Sequence, residues 1–281
     1  MKKLIIYFLT AFFAAQCSFA ESIDGNASGF DITPSGSAAI VPPPSAEKEI
    51  QKIVIINEKM QIVATQKHEE NSELPYTIDL TYPQIAGENI SPQAKKFNEL
   101  VTDIVNKNVQ QFKNYVKADM PHMQTLPDSV KQNSLKMSYD IDMIKPAKTV
   151  LITVRLVIEG MQAGRAHPYH THQVLNFDLN NGKILTLGNL FKPHTNYLNM
   201  FSKYSSKELN AKLQDKWMIK EGTAPLAKNY QQWNLKDKGI LITFEEYQVA
   251  PYFAGKQEVE IPYSKLKNLA PLVAGCVKGC G

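Results

Sequence analysis

The sequence predicts an α+β domain in which a mainly antiparallel sheet packs against two principal helices. Three observations predict it. Most apolar runs between positions 53 and 261 are short and alternate with polar residues, the period-two signature of half-buried strands. Two stretches instead repeat apolar residues at three- and four-residue steps, which marks amphipathic helices. Hairpin-type turns join most strands, so βαβ alternation is sparse.

The chain has 281 residues. Lys2 and Lys3 precede an apolar run, Leu4 to Ala15, and Ser18-Phe19-Ala20 offers small residues for cleavage. Residues 1–20 therefore read as a secretory signal peptide. The alternative is lipid anchoring through Cys17, although Gln16 stands where that processing wants a small residue. The expected location is periplasmic or secreted, with no transmembrane span in the mature chain. Loss of Lys2 and Lys3 from a formal charge of +4 leaves +2, which excludes the strongly basic face that nucleic-acid binding requires. Residues 21–49 are a Pro/Gly/Ser-rich linker, extended at Pro42-Pro43-Pro44.

A single domain is expected over 50–269, with an N-terminal half at 50–148 and a C-terminal half at 149–269. Ile53 to Ile56 is a short strand that turns through Asn57-Glu58-Lys59 into Met60 to Thr65. His68 to Glu73 reads as a polar loop, and Tyr76, Ile78 and Leu80 as the buried side of the next strand. Ser91 as N-cap and Pro92 at the first position open the clearest helix. Phe97, Val101, Val105, Val109, Phe112 and Val116 form its apolar stripe, and a loop is expected from Met120 to Pro127. Leu135 to Met143 alternates as a strand with one wet face, on which Asp140 and Asp142 are ordinary solvated carboxylates. Lys145 to Lys148 forms the hairpin loop into a more deeply buried strand, Val150 to Ile158.

A glycine-containing turn follows and carries His167, His170 and His172, three of the six histidines. Val174 to Leu179 is a strand, Asn180-Asn181-Gly182 closes a hairpin, and Ile184 to Leu187 returns. A second helix begins near Pro193 and includes Tyr197, Phe201, Tyr204, Leu209 and Leu213. Gly222 to Trp233 reads as irregular, and Gly239 to Phe244 as a strand. The loop Glu245 to Gly255 is rich in acidic and aromatic residues. Val259 and Ile261 belong to the last strand, and Tyr263 to Leu269 to a short closing helix. The tail, 270–281, holds Cys276 and Cys280, for which an oxidising compartment favours a disulfide over a metal pair.

Several segments resemble a bacterial cell-envelope family of the DUF4163/DUF3298 type. They are Tyr82-Pro83-Gln84-Ile85 with Phe97-Asn98, then Gly164-Arg165-Ala166-His167, then Phe177-Asp178-Leu179 with Gly182-Lys183 and Leu187. The most specific block runs from Phe244 through Tyr247-Gln248-Val249-Ala250-Pro251-Tyr252, Gly255 and Val259 to Ile261-Pro262-Tyr263 and Leu266. The resemblance covers roughly Leu74 to Leu269, a domain of ordinary size. That family includes the ectodomain of a lysozyme-sensing anti-sigma factor and the N-terminal part of a peptidoglycan deacetylase. It implies an exported, non-catalytic envelope module that recognises lysozyme, another muramidase or peptidoglycan glycan. The C-terminal half, 149–269, is the DUF3298-like part.

The candidate ligand-binding residues are His167, Tyr169, His170, His172, Tyr247, Tyr252 and Phe253. Aromatic rings supply contact area in recognition sites and stack on sugars. Their other reading is core and hairpin-corner packing. His170 and His172, two apart on an extended segment, point the same way. With His167 they form a candidate zinc set, and the alternative function is a metal-dependent envelope hydrolase. No nucleophile motif or phosphate-binding glycine loop occurs, so no catalytic residue is assigned and no cofactor is expected on the main reading. If the two loops converge, Tyr169, His170 and His172 face Tyr247, Tyr252 and Phe253 across a cleft.

Overall fold

The structure, a computed structural model, describes residues 54–146 and 149–278. The expected signal peptide, Cys17, the linker and Cys280 lie outside the described residues. Among those described, no helix is long and apolar enough to cross a membrane.

The α+β expectation is borne out, with two sheets. The larger has seven strands in sequence order: β1 (Val54–Asn57), β2 (Met60–Asn71), β3 (Tyr76–Gly87), β4 (Asn133–Ile144), β5 (Leu151–Met161), β6 (Tyr169–Asp178) and β7 (Lys183–Ile184). All pairs are antiparallel except β3 with β4, which are joined by helix α1 (Pro92–Met123). The smaller sheet has the order β10-β9-β8: β8 (Trp233–Leu235), β9 (Gly239–Phe244) and β10 (Gln257–Pro262). Helices α2 (Tyr197–Asn210) and α3 (Lys216–Gly222) lie between β7 and β8 in sequence, and α4 (Pro271–Ala274) with the 3₁₀ turn Gly275–Lys278 closes the described chain.

Helix α1 begins as its sequence dictates. The Ser91 hydroxyl accepts from the Ala94 amide at 3.1 Å, and Pro92 occupies the first turn, where no N–H is needed. Its stripe of Phe97, Val101, Val105, Phe112 and Val116 is buried on one face of the large sheet against Ile78, Leu135, Leu156 and Phe177. The parallel pairing covers only Tyr76 to Leu80 of β3, so the edge beyond it needs partners. Asn98 supplies them: its amide oxygen accepts from the Ile85 N–H at 2.7 Å, and its NH2 donates to the Ile85 carbonyl at 2.9 Å.

A second core lies around the small sheet, where Phe201, Ile219, Tyr230, Ile242, Phe244 and Ile261 are buried together. Cys276 is buried there and disulfide-bonded. Between the two sheets lies a polar layer. The Thr153 hydroxyl donates to the Asn176 side-chain oxygen at 2.5 Å, and the Asn234 NH2 donates to Thr153 Oγ1 at 2.8 Å. Arg155 reaches Asp140 at 2.6 Å, Thr243 at 3.0 Å and Glu258.

Several local expectations are corrected. His68 to Asn71 is strand, because those residues pair in register with Asp79 to Tyr76. Helix α1 continues through Pro121 to Met123; a proline there sacrifices one backbone donor close to the helix end. Beyond Ile184 the chain forms a 3₁₀ turn, Leu187–Leu190, boxed by Thr186 and Asn189. The second helix starts at Tyr197 with Asn196 as N-cap. The irregular stretch before Trp233 is partly ordered by the 3₁₀ turn Ala227–Tyr230. Tyr263–Lys265 is also a 3₁₀ turn, rather than the start of a closing helix. Asp140 and Asp142 are not idle carboxylates: they hold Arg155 and Lys236 and so tie the sheets together.

Candidate functional site

Strand β6 and the loop between β9 and β10 converge. On β6, side chains two apart share a face, so His170 and His172 both turn toward that loop. His172 is 1% exposed, and Glu245 grips it twice: one carboxylate oxygen accepts from the His172 backbone N–H and the other faces Nδ1, each at 2.8 Å. A carboxylate only accepts, so Nδ1 carries the proton of that bond. Nε2 of the same ring is buried without a partner among the described residues. His170 Nδ1 meets Glu246 at 2.8 Å, and its Nε2 stands 3.4 Å from Glu159 of β5, its cross-strand neighbour.

The loop itself is held from behind. The Gln248 side chain accepts from the Glu245 N–H and donates to the carbonyls of Gly222 and Asn229 at 3.1 and 3.0 Å. Tyr247 has φ +63°, a left-handed conformation that non-glycine residues seldom adopt, so the turn carries backbone strain at its tip. Tyr252–Ala254 is a 3₁₀ turn closed by Gly255, also at φ +63°. The Tyr252 hydroxyl donates to the Pro168 carbonyl at 2.8 Å, and its ring stacks on His167 with centroids 4.0 Å apart. Tyr247 lies 5.7 Å from Tyr252, centroid to centroid. Desolvation, then the Glu246 carboxylate, push the Tyr252 phenol above its ordinary value. The result is an aromatic knob: Tyr247 is 60% exposed and Phe253 89%.

Six of the seven expected site residues are thus brought together, and Tyr169 is not. It is out of phase with His170 and His172, so its ring turns to the α1 face. There it lies across Gly160, where any Cβ would overlap the ring. Burial, with Tyr115 second, pushes its phenol upward. The histidine trio also does not converge on a point, since each ring has a different partner. Among the described residues no group of three or more His, Cys, Asp or Glu is arranged to hold a metal ion. Glu159, Glu245, Glu246 and Gln248 form the frame that the list of candidates omitted. The signal for two of them was the acidic pair Glu245-Glu246 heading an aromatic loop in a chain with adjacent histidines elsewhere.

Residues 188–264 match the family described as a protein of unknown function, DUF3298. The aromatic loop lies inside that match and the histidine strand outside it. The peptidoglycan-N-acetylmuramic acid deacetylase PdaC of Bacillus subtilis is 29% identical over 204 residues, which are 71% of this chain and 40% of PdaC. The anti-sigma-V factor RsiV of the same species is 22% identical over 234 residues, 80% of this chain and 76% of RsiV. A solved DUF3298 family member from Bacteroides fragilis has a TM-score of 0.58 at 14% identity and covers 78% of this chain and 98% of its own. Another from Pseudomonas aeruginosa has a TM-score of 0.51 at 15% identity, covering 76% and 95%. These structures share the fold. The resemblance read from the sequence is borne out, and the two Bacillus relatives are consistent with an envelope module.

Proposed function

We propose that this chain is an extracytoplasmic, non-catalytic binding module that recognises a lysozyme-type muramidase through the aromatic knob after β9. The observation that carries the reading is the knob itself: Tyr247 and Phe253 project into solvent from a turn locked by Glu245, His172 and Gln248. Exposed rings on a rigid support lose little entropy on binding, and buried aromatic anchors dominate interface energies. A projecting knob suits a partner that offers a cleft, as a muramidase does. Glu246 and Glu159 beside the rings give a local acidic character that suits a cationic partner, although the whole chain is near neutral.

Peptidoglycan glycan is the other ligand class that the family resemblance implies. Retention of the protein on immobilised hen lysozyme and on purified sacculi separates the two. The expected result is retention on lysozyme, lost when Tyr247 and Phe253 are both replaced by Ala. Retention on sacculi alone would transfer the reading to the glycan, and retention on neither would end it. The metal-dependent hydrolase is less well supported, because the ring nitrogens of His170 and Nδ1 of His172 already face carboxylates. Elemental analysis of protein purified without chelator tests it; stoichiometric zinc lost in His170→Ala would revive it.

A further inference from the structure

The face of the large sheet that bears His170 carries a second arrangement of charges, running away from the knob. His68 of β2, Asp79 of β3, Lys136 of β4, Glu159 of β5 and His170 of β6 are successive cross-strand partners. They form one row on the face opposite α1. The small sheet covers the other end of these strands, where Arg155 and Lys236 bind Asp140 and Asp142, and leaves this row open. The row as far as Glu159, with Gln66, Thr81, Ser138 and the apolar Leu80, Met137 and Val157, lines a trough of about 670 Å³. Three strand spacings of about 4.8 Å make it about 14 Å from β2 to β5.

The row is incompletely paired. His68 Nδ1 meets Asp79 at 2.6 Å, a hydrogen bond that, with the Asp79 charge, raises the imidazole above its ordinary value. Lys136 Nζ, however, stands 3.7 Å from Glu159, beyond hydrogen-bond reach, with both side chains substantially exposed. Such exposed pairs contribute little stability, so a ligand can displace them at small cost. Among the described residues none hydrogen-bonds the side chains of Gln66, Thr81 or Ser138. The trough therefore presents a lysine between two carboxylates, one strand spacing to either side, with unused hydroxyls and an amide alongside.

We propose that this trough is a second binding site, and that it takes a short zwitterionic peptide of the kind that forms peptidoglycan stems. The charge order carries the choice of occupant. A carboxylate settles over Lys136 and an ammonium against Asp79 or Glu159, at the separation that neighbouring groups of a peptide provide. Leu80, Met137 and Val157 also line the trough, so its floor is mixed and the charged row alone selects the occupant.

The test titrates the full chain with N-acetyl-L-Ala-γ-D-Glu-L-Lys, followed by NMR shifts. The control is the same peptide with its lysine side chain acetylated. Saturable binding is expected, with at least about tenfold loss in Lys136→Ala and in Asp79→Asn, both of which lie on an exposed sheet face and are expected to keep native circular dichroism. A similar loss is expected with the acetylated control. Phe253→Ala is expected to bind the peptide as the native chain does, which separates this site from the lysozyme knob. No saturable binding overturns the proposal. Binding unaffected by both trough variants also overturns it, and so does equal binding of chitotetraose, a glycan without peptide.

Discussion

His172 has a buried ring with two nitrogens to satisfy, and Glu245 satisfies one of them together with the backbone N–H. Replacing Glu245 by Gln keeps the shape but introduces an NH2 that donates to Nδ1, which drives the ring proton to the buried, unpartnered Nε2. An unsatisfied buried donor costs about 1–3 kcal/mol. Chemical denaturation of Glu245→Gln is expected to show a loss of that size, with a smaller change for Glu246→Gln, whose histidine is about a third exposed. A loss no larger for Glu245 than for Glu246 would remove the clamp from the account. The common orientation of His170 and His172 was legible in the sequence because strand alternation fixes it. The same alternation places Tyr169 on the other face, so its parity was legible as well. Glu159 was not legible as a site residue, since its register opposite His170 is a long-range fact that emerges only when β5 and β6 pair.

At the scale of elements, β10 is fastened to the large sheet through charge. Glu258 on β10 meets Arg155 of β5 and Lys256. Its partial burial opposes ionisation, but Lys256 and Arg155 outweigh this and hold the carboxyl below its ordinary value of 4.5. A depressed folded-state pKa stabilises the fold above the unfolded value, and that contribution is lost as pH falls through the folded value. Glu258→Gln is therefore expected to lower stability at neutral pH and to flatten its decline below 4.5. Denaturation midpoints measured across acidic pH check this, and parallel curves for variant and native chain would contradict it. The helices and the long strands were legible because their periodicities run for many residues. The end of α1 was not, because Pro121 reads as a breaker although in the last turn it costs only one bond. Strand β8, with three residues, is too short to display a period, and its burial depends on β9 and the polar layer beneath it.

At the scale of the molecule, two apolar cores are joined by polar contacts rather than by one continuous apolar layer. Asn176 is the centre of the join: its oxygen accepts from Thr153 and its NH2 donates to the Trp233 carbonyl at 2.8 Å. Truncation to Ala takes the acceptor from the Thr153 hydroxyl and a donor from the Trp233 carbonyl, at about 1–3 kcal/mol. Asn176→Ala is expected to unfold at lower denaturant, with the fluorescence of buried Trp233 changing before far-ultraviolet circular dichroism if the join is what couples the cores. An unshifted midpoint would show that the apolar contacts suffice. The presence of two cores was not legible, since the sequence shows which faces are apolar but not which face meets which. The α+β class was legible because it depends only on local period and turn chemistry.

The central claim is that the aromatic knob after β9 binds a lysozyme-type muramidase. Its most direct test is calorimetric titration of hen lysozyme into the native chain and into the Tyr247→Ala/Phe253→Ala double variant. Both rings are exposed, so the variant is expected to keep native circular dichroism. Loss of hot-spot anchors of about 2 kcal/mol or more corresponds to at least about a thirtyfold rise in Kd. The account predicts saturable binding by the native chain and that rise in the variant. Equal affinity of the two chains, or no heat of binding with either, would contradict it.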